Sequence, residues 1–172
     1  MGNALGNLFG CHRYQVVMLG LDNSGKSTIV YRLKFEHYVQ RSPTIGFNCE
    51  KFRVTSRLGK GKSFIVWDIG GQETIRPLWK TYLRQADVFD EARVEMANLM
   101  RFANLRDNVP VVLLANKQDL PEAKTGDAIR QLLAPDVGKR YLKVISCCAI
   151  TGEGLDDFFP ELSHIITEAR SV

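Results

Sequence analysis

The chain has 172 residues, is 45% apolar and 24% charged, and carries a net charge of +4. That length suits one domain with a sizeable core, and the composition excludes a disordered or collagen-like chain. The mild positive balance does not by itself mark a nucleic-acid binder, and no apolar run approaches the roughly 20 residues of a membrane span.

Residues 1–12 read as a segment apart from the domain at 13–172. Met1-Gly2-Asn3-Ala4-Leu5-Gly6 begins like a myristoylation site on Gly2, although Gly6 stands where Ser or Thr is usual. Leu5, Leu8 and Phe9 fall on one helical face, which an acyl chain would help to hold at a membrane surface. A frayed tail is the competing reading. Cys11 is a second candidate for lipidation. It and Cys49, Cys147 and Cys148 form no C-x-x-C pair and no zinc spacing, so reduced, cytosolic thiols are expected. No signal peptide is read at the N-terminus. His12, His37 and His164 are scattered and form no metal or catalytic cluster.

An apolar run, Val16–Leu19, leads into Gly20-Leu21-Asp22-Asn23-Ser24-Gly25-Lys26-Ser27, and a helix-compatible run, Thr28 to Leu33, leads out. This is G-x-x-x-x-G-K-[ST] in a strand–loop–helix setting, where backbone N–H groups and a helix N-terminus converge on a phosphate. Lys26 supplies a point charge to the β- and γ-phosphates, and Ser27 a hydroxyl to Mg²⁺. Taken alone, the motif also fits a mere glycine-rich turn.

A loop follows at Arg41–Asn48, where Pro43 disfavours helix at Ser42 and Gly46 is permissive. Phe52–Thr55 and Phe64–Trp67 read as two strands of a hairpin around the basic turn Arg57–Lys62. The second strand ends in Asp68-Ile69-Gly70-Gly71-Gln72. Asp68 is a candidate magnesium ligand, directly or through water, or else a strand-end turn former. Gly71 can bring its N–H against a terminal phosphate, and Gln72 can orient an attacking water.

Val111–Ala115 reads as a buried strand that delivers Asn116-Lys117-Gln118-Asp119 at its carboxyl end, where open α/β sheets bind ligands. The Asp119 carboxylate can accept from the N1–H and 2-amino group of guanine, a donor pair that adenine lacks. A last strand, Leu142–Ser146, runs into Cys147-Cys148-Ala149-Ile150, where small Ala149 allows its N–H to approach a base. A helix over about Leu155–Ala169 carries Phe158, Phe159, Leu162, Ile165 and Ile166 at core spacing.

These motifs, in this order, resemble a small GTPase. "GLDNSGKST", "PTIGFN", "WDIGGQETIRPLWKTY", "VVLLANKQDLP" and the start "MGN" are similar to the ADP-ribosylation factor (Arf) and Arf-like family over nearly the whole chain. The resemblance implies a three-layer α/β P-loop fold with a mostly parallel sheet. It implies GTP or GDP with Mg²⁺ as ligands, held at Asp22, Asn23, Ser24, Gly25, Lys26, Ser27 and Thr28. Thr44 would ligate Mg²⁺ only in the GTP state, with Ser27 and, through water, Asp68. Asn116, Lys117 and Asp119 would hold the guanine, with Cys148 and Ala149 beside it. Lys26 and Gln72 would carry the slow hydrolysis, since no built-in arginine finger is obvious. Exchange factors, activating proteins and effectors are the implied partners, the effectors on Phe47, Trp67 and Tyr82, for which a core role competes. The implied location is cytoplasmic, peripheral on intracellular membranes such as the Golgi.

One departure stands out. Family members carry a central strand after the helix that follows Gln72, whereas here Trp79–Asp87 passes at once into Val88–Met96, with helix expected to about Ala103. Roughly fifteen residues of the pattern are missing, so five strands rather than six are expected. Either Val111–Ala115 moves in beside Val16–Leu19, or the sheet has a gap. A shortened chain that only presents an interaction surface is the alternative function.

Overall fold

The computed structural model describes residues 13–54, 61–74, 109–137, 141–156 and 158–171. Gly2, Cys11, His12, Tyr82 and the expected helices at 75–103 lie outside these residues, as does most of the basic turn.

The described elements are β1 (Arg13–Met18), α1 (Lys26–Phe35), β2 (Phe47–Arg53), β3 (Ser63–Ile69), β4 (Val111–Ala115), α2 (Gly126–Val137), β5 (Leu142–Ser146) and α3 (Phe158–Ser171). Five strands lie among the described residues. Their bounds differ from the apolar runs for a simple reason. β2 is half exposed, with alternating burial, so its apolar signal is weak and its length follows the ladder with β3. It therefore begins at Phe47, inside the stretch read as loop. The helix α2 had no counterpart in the sequence reading. Its start is marked by Thr125, whose hydroxyl accepts from the Ala128 N–H at 3.3 Å, an N-cap signal. The final helix begins at Phe158 rather than Leu155, with Pro160 in its first turn, where proline is tolerated.

The strands form two sheets, ordered β1-β3-β2 and β4-β5. β1 runs parallel to β3, with Met18 opposite Asp68; β2 is antiparallel to β3; β4 runs parallel to β5, with Ala115 opposite Ser146. Among the described residues β4 does not pair with β1, so the first of the two expected arrangements is not found there.

One core nevertheless spans both sheets. It joins Val16 and Met18 of β1, Ile29 and Val30 of α1, Phe64 and Val66 of β3, Val112 and Leu114 of β4, and Leu162, Ile165 and Ile166 of α3. Phe159 of α3 packs its ring 4.6 Å from Phe52 and 5.3 Å from Phe64. The alternate residues Val17, Val111 and Leu113 are buried as well, so both faces of the sheets are covered, as parallel strands require. The start of α2 meets Val144, the register partner of Leu113, on the face away from α3. Helices thus flank the strands on two sides. The carboxyl ends of β1, β3, β4 and β5 point one way and carry the loops described next.

Candidate nucleotide-binding site

The loop after β1 holds its shape through backbone conformations few side chains allow. Asn23 and Gly25 have φ of 57° and 93°. Gly25 is the N-cap of α1, and no side chain caps the first turn, which leaves that end suited to an anion. A Cβ on Gly25 would sit 2.2 Å from Asn116 Nδ2. Glycine is therefore demanded twice there, by backbone angle and by space.

Lys26 is only 7% exposed. Its ammonium folds back over the loop and donates to the carbonyl oxygens of Gly20 at 2.7 Å and Leu21 at 2.9 Å, with Ser24 Oγ at 3.4 Å. A buried ammonium needs such acceptors. They also pin the charge at the mouth of the loop.

From the far side of the cavity, the loop before β2 comes in. Thr44 Oγ1 lies 2.6 Å from Ser27 Oγ. Gly71, after β3, packs against the loop backbone so closely that a Cβ would stand 2.5 Å from Gly20 O and from Asp22 N. Gln72 follows it, partly buried. Ser27, Thr44 and Gly71, together with Asp22, Lys26 and Arg41, line a cavity of about 200 Å³.

Asp68 ends β3 beneath this cavity. It is wholly buried, and neither carboxylate oxygen has a hydrogen-bond partner. Burial pushes its carboxyl above the ordinary carboxylate value. The nearby Ser27 hydroxyl, whose own bond is to Thr44, and the Lys26 charge offset this only in part. An orphaned buried carboxylate beside two converging hydroxyls is a hard-oxygen donor set, which fits Mg²⁺. Ser27, Thr44 and Asp68 are the residues that would hold it, and its charge would satisfy the carboxylate that the protein leaves alone.

The second sheet supplies the other half of the site. Asn116, just past β4, donates from Nδ2 to Ser24 O at 3.0 Å, and its Oδ1 accepts from Ala149 N at 3.0 Å. One carboxamide thus joins the phosphate loop to the loop after β5. The Cys148 thiol donates to Asp119 Oδ1 at 3.2 Å and so holds that carboxylate in place. Lys117 is exposed, at a φ of 65°. Behind these loops, Arg32 of α1 donates to the carbonyls of Ile150 and Thr151. Phe47 is 50% exposed and lies 5.7 Å, ring to ring, from Trp67, whose indole N–H donates to Gln15 Oε1.

The structure therefore brings together Asp22 through Thr28, Thr44, Asp68 and Gly71 on one side and Asn116, Asp119, Cys148 and Ala149 on the other; Gln72 follows Gly71 in the chain but does not line the cavity. Phe47 and Trp67 form a separate aromatic pair. Sequence reasoning gave no part to Arg32 or Arg41, which carry no motif, and missed that Asn116 bridges two loops.

The family model for the ADP-ribosylation factor family matches residues 1–166. ADP-ribosylation factor-like protein 4C of Homo sapiens is 39% identical, with 99% of this chain and 95% of that protein covered. ADP-ribosylation factor-like protein 14 of Mus musculus is 38% identical, with 90% and 86% covered. The alignment to the human protein runs over 184 positions while this chain has 172 residues, so at least 12 positions of the relative have no counterpart here. Among solved structures, the Arl6 BBS3 small GTPase from Trypanosoma brucei, with bound nucleotide analogue GppNp, superposes with a TM-score of 0.77 at 26% identity, covering 91% of this chain and 99% of that one. The chain belongs to the ADP-ribosylation factor family of small GTPases, switches that bind and hydrolyse GTP.

Proposed function

We propose that this chain is a membrane-associated guanine-nucleotide switch of trafficking or signalling, binding GTP and GDP with Mg²⁺ at the site described above. The observation that supports it best is the pairing of Ser27 with Thr44 above the orphaned Asp68 carboxylate. Two separate loops bring magnesium-type donors to one point beside a phosphate loop. Lys26 and the backbone at Asp22–Thr28 hold the phosphates, and Gln72 orients the water. Asn116, Lys117 and Asp119 hold the guanine, with Cys148 and Ala149 closing on it. Hydrolysis rests on positioning and electrostatics and is slow until an activating protein binds. Residues 1–12 serve as the membrane-facing segment, acylated on Gly2. No described helix is long and apolar enough to cross a membrane. Phe47, Trp67 and Tyr82 face effectors, and an exchange factor opens the site.

A second reading has one observation in its favour. The described strands form two sheets rather than one, as expected of a shortened chain that has lost its nucleotide and works as an interaction module. Melting the protein with and without Mg²⁺-GDP separates the two. Ligand at 100 times its Kd adds about 2.7 kcal/mol to the folded state, a rise of roughly 5–10 °C at this size. No shift favours the module. Equal binding of ATP and GTP would sink the guanine assignment.

A further inference from the structure

Arg41 stands on the loop between α1 and β2 and lines the phosphate cavity with Lys26, Ser27 and Thr44. Its loop is drawn in: the Thr44 hydroxyl, three residues on, lies 2.6 Å from Ser27 Oγ. The guanidinium rests 4.0 Å from the centroid of the Tyr31 ring. Tyr31 itself is fixed between α1 and β2, because its hydroxyl accepts from Asn48 Nδ2 at 2.8 Å. The ring therefore keeps the cation at the cavity rim. Among the described residues no carboxylate pairs with Arg41; the ion pairs are Lys34–Glu50, Lys143–Glu161 and His164–Glu168. A guanidinium over a half-buried ring at the cavity rim is held weakly compared with one that donates to a phosphate. A triphosphate in the cavity would draw it off the ring.

We infer that Arg41 is a catalytic arginine supplied by the chain itself, closing on the γ-phosphoryl group from the side opposite Lys26. The inference rests on the nucleotide reading above and changes one part of it, the expectation that the chain holds no arginine of its own for this step. In the step, the water oxygen forms a bond to the γ-phosphorus. The bond from that phosphorus to the bridging oxygen breaks, and its electron pair stays on the β-phosphate. The water protons leave with inorganic phosphate and solvent. Negative charge grows on the bridging oxygen, and a planar fork of N–H donors answers it in a way a point charge cannot. Lys26 is tied to the loop carbonyls; Arg41 is the cation on a mobile stem, on the loop that Thr44 brings in. Arg41 stays protonated throughout.

The test uses the full chain loaded with GTP and Mg²⁺, following phosphate release in a single turnover, with GTP and GDP affinities measured in parallel. Arg41→Ala should slow the chemical step at least about tenfold, up to the order of 10³-fold known for such arginines. Melting temperature should change little, because the residue is exposed, and GTP affinity should fall by a smaller factor than the rate. Arg41→Lys should restore little of the rate. Wild-type turnover in Arg41→Ala, with GTP bound, overturns the role and leaves the nucleotide reading standing. So does full rescue by lysine, which reduces Arg41 to general attraction. Failure of the wild-type chain to bind GTP overturns the nucleotide reading and this role together.

Discussion

The phosphate half and the base half of this site solve different problems. The phosphate half, on β1, α1 and β3, is built from groups whose needs the protein only partly meets. Lys26 is satisfied by loop carbonyls, but Asp68 is buried with nothing to bind. The base half, on β4 and β5, meets its own needs: Asp119 accepts from Cys148, and Asn116 from Ala149. The first half stands ready for a charged ligand that completes it, while the second is preformed and selects. Under the proposed nucleotide reading, the phosphates would supply affinity and the base choice.

That contrast can be broken at four points, in order of expected effect. Lys26→Ala should weaken GTP and GDP binding by about 10²-fold or more, since each charge-assisted hydrogen bond contributes about 1.5–3 kcal/mol. A fluorescent-nucleotide titration reads this, and unchanged affinity would refute the phosphate assignment. Asp119→Asn should cost about 1–3 kcal/mol toward guanine and turn preference toward xanthine, which presents an oxygen at position 2. A paired competition of GDP and XDP measures it; loss of both nucleotides equally would mean that Asp119 only shapes its loop.

Asp68 tests whether the phosphate half is strained without its ligand. Its folded-state carboxyl lies above the ordinary value, chiefly through burial. The folded protein then holds a proton that the unfolded chain has lost. Metal-free stability should accordingly fall as pH rises from the ordinary carboxylate value through the raised one. Asp68→Asn should remove that slope, raise the metal-free melting temperature at neutral pH by about 1–3 kcal/mol equivalent, and abolish the added stability given by Mg²⁺ with GDP. A lower metal-free melting temperature in this variant would contradict the account. Arg32→Ala is the mildest change. Losing its bonds to Ile150 and Thr151 should cost about 1 kcal/mol and speed nucleotide release without altering base choice. Stopped-flow release rates with GDP and IDP distinguish a loosened base loop from a lost contact.

Much of this was legible in the sequence because the chemistry is local. Gly25, Lys26 and Ser27 are adjacent, and their spacing in a strand–loop–helix setting, with the later motifs, reads as a phosphate loop. The β4 strand was read at its true bounds, Val111–Ala115, because a buried parallel strand reads as a continuous apolar run. What stayed hidden is long-range. The Asn116–Ser24 bond joins residues 92 positions apart. Arg32 and Ile150 are separated by 118. No period or motif encodes such contacts; they follow from the stacking of two sheets on a common core. Arg41 was quoted in its loop and given no role, because only the inward path of Thr44 carries it to the cavity.

The Asn116 carboxamide has a direction. Its amide end meets the phosphate loop and its oxygen end meets Ala149. An aspartate of nearly the same size would turn an oxygen toward the Ser24 carbonyl and repel it. The two halves of the pocket therefore communicate through one small polar plane, and its orientation is itself information. A base seated beside Ala149, as proposed, would meet that plane one side chain away from the Ser24 carbonyl.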